Sequence, residues 1–314
     1  MGRYLIRRLI QAIPVLIGAT LLIYWLCFFL PGDPIQALAG DKKADPIVAA
    51  MLRDKYHLDD PFLLQYWNYF TGLFQGDFGE TLQGRKVLDL ITEAFPYTIN
   101  LALISFVIEA VVGVAAGVMA ALRRGKFIDQ LVLISTLMVI SIPVFVTGFV
   151  LQLTLGVQLK NSWGIDFFPV SFNESDGIRA YLLPAFVLAS TSLAYVARLT
   201  RTSLMETMRA DYVRTATAKG LPRRRVVVNH ALRNALIPIV TFLGADLGSL
   251  MGGAVITEKI FNIHGIGGTL AMYVYQKQGV VVVGVVTLLV LVYLIANLVV
   301  DLLYAVLDPR IRYA

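Results

Sequence analysis

Cysteine occurs once in the 314 residues, at Cys27, so no disulfide can close within the chain, and the redox compartment is left unmarked. Histidine is nearly as scarce. His57, His230 and His264 are too far apart to form a metal-binding motif. The motifs that bind nucleotides are missing as well. The nearest match to a phosphate loop, Gly79-x4-Gly84-Arg85-Lys86, has no Lys-Ser or Lys-Thr step after its second glycine. Gly265-Ile266-Gly267-Gly268 has no flanking strand to make a dinucleotide site, and no Ser/His/Asp arrangement stands out. An enzyme is therefore not expected. The chain also lacks an internal repeat, a low-complexity tract and a flexible linker, so it reads as one membrane domain. Charge is sparse too, at 15% of residues.

Apolar residues fill the space left by these absences. They make up 57% of the chain, and the mean hydropathy is +0.71. A soluble domain of this length can bury a core with far less, so an integral membrane protein is indicated. The net charge of +6 would be compatible with nucleic acid. Here, however, the bases cluster between apolar runs, where membrane topology accounts for them.

About 20 apolar residues span a bilayer, and six runs are long enough. Arg3, Arg7 and Arg8 precede the first, from about Leu9 to Leu30. It ends in Phe28-Phe29-Leu30-Pro31-Gly32-Asp33, not in a small-residue cleavage site, and reads as a retained helix with a cytoplasmic N-terminus. The segment from Pro31 to about Pro96 has more acids than bases and is assigned to the outer side. Within it, Ala44 to Tyr56 reads as a helix. Pro61 to Phe74 reads as an aromatic amphipathic helix that lies at the interface or packs on the bundle. Further spans are expected at about Thr98–Leu122, Asp129–Leu155, Leu182–Val196, Ile237–Thr257 and Val280–Val306. Pro143 must kink or end the third. Outer loops are expected at Gly156–Tyr181 and Glu258–Gly279.

The basic interruption from Arg198 to Leu236 carries nine Lys or Arg residues against Glu206 and Asp211, and it is assigned to the cytoplasm. Leu204, Met208, Tyr212 and Ala216 recur four apart and predict one helical face. Glu206–Arg209 and Asp211–Arg214 have the spacing of helix-surface pairs. Gly220-Leu221-Pro222 supplies a stop. A second amphipathic run, Val226 to Asn234, leads back to the membrane. The pattern predicts a docking surface for a cytoplasmic partner.

Three acids lie in or near the apolar runs. Asp301 sits close enough to an end to snorkel. Glu109 and Asp246 are deeper, and each is read either as making a structural pair or hydrogen bond or as lining a cavity. Gly113-x-x-x-Gly117 and the series Gly244, Gly248, Gly252 are small-residue steps that let helices approach closely. Gly248 and Gly252, with Glu109 and Asp246, are also candidates to line a translocation path.

Several motifs then occur in order along the chain. They are Arg8-Leu9, Leu30-Pro31-Gly32-Asp33-Pro34, Gly76-Asp77-Phe78-Gly79, Asp211-Tyr212-Val213-Arg214-Thr215-Ala216-Thr217-Ala218-Lys219-Gly220-Leu221, His230 through Pro238, Glu258-Lys259-Ile260-Phe261 with Gly265-Ile266-Gly267, and Leu307-Asp308-Pro309-Arg310. Together they resemble the permease subunits of binding-protein-dependent, ATP-driven (ABC) importers, in the peptide branch and its B-type permeases. Arg214 and Thr215 stand where the broad family signature has Glu and Ala, while Ala216 and Gly220 match it.

The resemblance implies the type I importer permease fold, an all-α integral membrane protein of six transmembrane helices with an extracytoplasmic helical insertion after the first. The expected partition is 1–30, the first helix; 31–95, the insertion; 96–306, the permease core with its coupling loop at 198–236; and 307–314, a cytoplasmic tail. Dipeptides or oligopeptides would be the cargo. Asp211, Tyr212, Arg214, Thr215, Ala216, Lys219, Gly220 and Leu221 would form the element that couples to an ATPase. A second, homologous permease would complete the path. Two cytoplasmic ATPase subunits would hold ATP and Mg, and a binding protein would dock outside. This chain itself would carry no cofactor. The competing function is a stand-alone secondary transporter or channel, which predicts activity from the chain alone.

Overall fold

A computed structural model describes residues 2–28, 46–55, 59–81 and 83–307. The Leu30-Pro31-Gly32-Asp33-Pro34 and Asp308-Pro309-Arg310 motifs, His57 and the side chain of Asp301 lie outside the described residues.

Regular structure among the described residues is helical, apart from one isolated bridge between Glu80 and Lys86. The helices are α1 (Gly2–Phe28), α2 (Pro46–Lys55), α3 (Phe62–Leu73), α4 (Val87–Leu122), α5 (Phe127–Ser141), α6 (Val144–Trp163), α7 (Arg179–Thr207), α8 (Asp211–Ala218), α9 (Arg223–Gly252), α10 (Val255–Phe261), α11 (Ile266–Tyr275) and α12 (Gly279–Leu307). Five are long and apolar enough to cross a membrane, and the pair α5–α6, bent by 105°, makes a sixth span when taken as one. The expected all-α fold with six spans is therefore present.

The predicted kink falls at Pro143. Ile142 is extended, at φ −99° and ψ 127°, as a residue before proline must be, and Pro143 begins the second limb. Other boundaries differ from those expected. The second span begins at Val87, not Thr98, because Val87, Leu90, Ile91 and Ala94 form a buried stripe that extends the helix. The fourth runs from Arg179 to Thr207 and takes in Arg198 and Arg201. Helix continues past Leu155 to Trp163. The expected loop at 258–279 contains the end of α10 and all of α11.

The chain forms two compact units, residues 1–98 with 263–314, and residues 99–262. In the first, α1 lies along α12. α3 packs through Phe62, Tyr66, Tyr69 and Phe70 onto Tyr24 and Val283, and it leaves Leu63 and Trp67 exposed. The Tyr66 hydroxyl lies 3.0 Å from Thr20 Oγ1 and donates to the Ile17 carbonyl. The Tyr69 hydroxyl lies 2.6 Å from Thr287 Oγ1, and burial pushes this phenol above its ordinary range, so it remains a neutral hydroxyl. The Gly76–Gly79 motif crosses the first turns of α12. A Cβ on Gly79 would lie 2.4 Å from Val280 Cγ1, and one on Gly284 would lie 2.5 Å from the Phe78 carbonyl oxygen. Gly79 also has φ +89°, a region open to glycine.

In the second unit α7 is the hub, packed against α4, α5, α6 and α9. The predicted small-residue step on α4 is the close crossing with α7. A Cβ on Gly113 would come within 2.8 Å of Val196 Cγ1, and one on Gly117 within 2.4 Å of the Ala197 carbonyl oxygen. Gln152 on α6 donates to the carbonyls of Val170, at 2.7 Å, and Ile260, at 3.0 Å. Phe172 N–H donates to the Phe261 carbonyl at 2.8 Å. Gly117→Ala is expected to cost about 1–3 kcal/mol by overpacking against backbone that cannot yield. Gly252→Ala, with nothing within 4 Å of the added carbon, is expected to be neutral. Thermal unfolding of the detergent-solubilised chain checks both; equal melting temperatures would contradict the close crossing.

Candidate functional site

The basic interruption folds as helix, turn, short helix, turn and helix. α7 ends at Thr207, and Met208–Ala210 form a turn in which Arg209 N–H donates to the Glu206 carbonyl at 3.0 Å. Ala210 is extended, and its carbonyl accepts from Val213 and Arg214. Asp211 then opens α8, where a carboxylate suits the positive end of the helix dipole. The pair spacing predicted for Asp211 and Arg214 is realised at 3.5 Å between exposed side chains, so it adds little stability.

The turn at 208–210 resets the helical phase. The expected face of Leu204, Met208, Tyr212 and Ala216 does not run through it. Val213 takes the inward place and Tyr212 is exposed, its hydroxyl accepting from Asn234 Nδ2 at 2.9 Å. Val213 and Ala216 are buried with Leu204, Val226, Ala231 and Ala235, and Val118, Ala121, Met208 and Leu221 close the edges. Asp211, Tyr212, Arg214, Thr215, Lys219 and Gly220 face outward. Ala216 therefore belongs to the supporting side of the helix and not to its outer surface.

The stop predicted at Gly220 is a two-bond reverse cap. Gly220 has φ +76°. Its N–H donates to the Thr217 carbonyl at 3.0 Å, and Leu221 N–H donates to the Ala216 carbonyl at 3.4 Å. Pro222 follows, then α9. Thr215 and Thr217 hydroxyls donate to the carbonyls of Asp211 and Val213. Ser203 Oγ donates to the Ala235 carbonyl at 2.9 Å, which ties α7 to α9 beside the short helix. Every end of α8 is thus anchored, and its outer face presents a mixed charged surface.

One supporting contact went unread in the sequence. Asp129, in the first turn of α5, accepts from Arg201 Nε and Nη2, the latter at 2.9 Å, and from Gly125 N–H at 2.8 Å. The two side chains are 4% and 18% exposed. The partners are 72 residues apart; the signal was an acid opening an apolar helix opposite an Arg on the extension of α7.

Glu109 and Asp246, the deep acids, are brought together: Glu109, on α4, is fully buried, and the Asp246 carboxyl on α9 lies close enough to act on it. Gly248 is buried, and Gly252 faces open space. Among the described residues no group of three or more His, Cys, Asp or Glu side chains is placed to hold a metal.

Comparison with known proteins places this architecture. Residues 113–313 match the family described as binding-protein-dependent transport system inner membrane component. Residues 1–102 match its N-terminal companion, the N-terminal part of a binding-protein-dependent transport system membrane component. The chain is 37% identical to the di/tripeptide transport system permease protein DppB of Pseudomonas aeruginosa (strain UCBPP-PA14), over 99% of this chain and 98% of that protein. It is 35% identical to the oligopeptide transport system permease protein AppB of Bacillus subtilis (strain 168), over the whole of both. It is 37% identical to the glutathione transport system permease protein GsiC of Escherichia coli (strain K12), again over the whole of both.

Proposed function

Because the chain belongs to the family of binding-protein-dependent transport system inner membrane components, we propose that it is the permease subunit of an ATP-driven importer of short peptides, coupled to its ATPase through α8. The relatives named for di- and tripeptides, oligopeptides and glutathione share peptide-bonded cargo of a few residues, and that class is carried over here. A second homologous permease completes the path, two cytoplasmic ATPase subunits bind ATP and Mg, and a binding protein delivers the cargo from outside. Both termini and the 198–236 segment face the cytoplasm, where its excess of Lys and Arg belongs.

The observation that carries the proposal is the mounting of α8. Its inner face is seated in an apolar cluster, its end is closed by the Gly220 cap, and it joins α7 to α9 through turns of a few residues. A load on Asp211, Tyr212, Arg214, Thr215, Lys219 or Leu221 is therefore passed to two spans and is not absorbed in a slack loop. ATP can bias the path only if this surface makes different contacts with the ATPase in its two states.

The test is purification of the full chain from its native membrane, identification of the proteins that accompany it, and uptake of labelled dipeptide and tripeptide by vesicles holding the assembly. Uptake that requires ATP, the ATPase subunits and the binding protein is expected. Uptake by the chain alone would overturn the proposal in favour of a stand-alone transporter or channel.

A further inference from the structure

Both carboxylate oxygens of Glu109 and Oδ2 of Asp246 are buried without a hydrogen-bond donor. An ionised carboxylate only accepts, so two ionised groups in contact cannot satisfy each other. The surroundings offer no remedy. Phe106, Ala110 and Val114 on α4, Val196 and Leu199 on α7, and Leu236, Ile239, Phe242 and Leu243 on α9 pack together as an apolar cluster on these same helix faces. α9 contributes Asp246, whose charge acts on Glu109, and α7 contributes Tyr195, its ring 6.4 Å from that of Phe242. Among the described residues no hydrogen-bond donor meets these three oxygens, and leaving a charge or an unpaired polar group in such a place is costly. Glu109 also opens a π-helical turn, Glu109–Gly113, inside an otherwise α-helical span, a distortion often found where a helix carries a functional group.

We propose that Glu109 and Asp246 form a buried proton-binding site, in which one proton shared by the two carboxyls latches α4 to α9. With that proton in place, one group donates to the other, the pair holds a single negative charge, and the two spans are tied deep in the membrane. A dehydrated proton fits between Glu109, which has no exposed surface, and the buried Oδ2 of Asp246, whereas a hydrated metal ion does not. Parting α4 from α9 breaks the shared bond, so the latch adds resistance to any motion that separates these spans.

The experiment uses the full chain in lipid nanodiscs, and its readouts do not depend on peptide transport or on any partner. E109Q replaces the shared proton with a permanent amide donor, as does D246N from the other side. Infrared spectra of the unsubstituted chain at neutral pH are expected to contain a protonated-carboxyl C=O band that both variants lose. The melting temperature of the unsubstituted chain is expected to fall as pH rises from the ordinary carboxylate range, where the unfolded chain gives up a proton that the folded pair keeps, until the pair itself ionises, and this fall is expected to vanish in E109Q. E109A, with no donor for Asp246, is expected to melt lower than E109Q at neutral pH. A neutral-pH spectrum with no band removed by either variant would overturn the proposal. So would a fall over the same pH range in E109Q as steep as in the unsubstituted chain. If E109Q does not fold, D246N decides the question by the same two readouts.

Discussion

Asp129→Ala is expected to lower the stability of the solubilised chain by about 3 kcal/mol, near the lower bound for breaking one half of a buried ion pair. The loss comes from what remains as much as from what is removed. Arg201 keeps its full charge, stays largely buried beside α5, and loses both acceptors at once, while the Gly125 N–H loses its own. Asp129→Asn keeps one acceptor for Gly125 and is expected to fall between the two. The double substitution D129L with R201M leaves no stranded charge and is expected to recover most of the stability, since apolar replacement of a whole buried pair is often neutral. Lys160→Ala is the control. Its pair with Asp166, at 2.8 Å, is half exposed, and such pairs contribute about 0–1 kcal/mol. Chemical or thermal unfolding of the four variants decides the matter, and a D129A chain as stable as K160A would mean that the pair does not anchor α5 to α7.

Ala216→Trp is expected to abolish ATP-driven uptake while leaving every Lys and Arg of the segment in place. Ala216 is 6% exposed and faces Leu204, Val213 and Val226, so an indole cannot enter without lifting α8 from its seat. Gly220 gives a graded companion. Gly220→Ala has open space around it but must hold φ +76°, at a cost of about 1–2 kcal/mol, and is expected to weaken uptake only partly. Gly220→Pro cannot hold that angle at all, and it removes the N–H that Thr217 accepts; uptake is expected to be lost. In each case the assembly should still form and hydrolyse ATP, because the outward side chains of Asp211, Tyr212, Arg214, Thr215 and Lys219 are unchanged. Unchanged ATP-dependent uptake in A216W and G220P would exclude α8 as the coupling element.

Much of the architecture was legible because each legible feature is local. Hydropathy runs marked the spans, Pro143 marked the break, and Gly220-Leu221-Pro222 marked a cap, since each depends on neighbours a few residues away. Boundaries suffered where tertiary partners extend a helix. α4 starts early because its first turns bury a stripe against Phe78, Val281 and Val285, and α7 runs on because Arg201 finds Asp129. The four-residue period through Leu204, Met208, Tyr212 and Ala216 misled because a three-residue turn interrupts it without any glycine or proline to announce the stop. Glu109 and Asp246 stood out singly as acids in apolar runs, and only the packing of α4 and α9 on α7 brings them together.

The bend between α5 and α6 also bears on hydrogen bonding in oil. A break inside a bilayer ordinarily strands peptide donors, and each is expensive where no water can reach it. At this corner one of those donors never existed, because position 143 is an imino acid, and its carbonyl serves two of the next amides, Val146 and Thr147. The corner therefore has fewer dangling groups than any other residue type would leave. A limb that turns through 105° therefore carries a smaller polar burden into lipid.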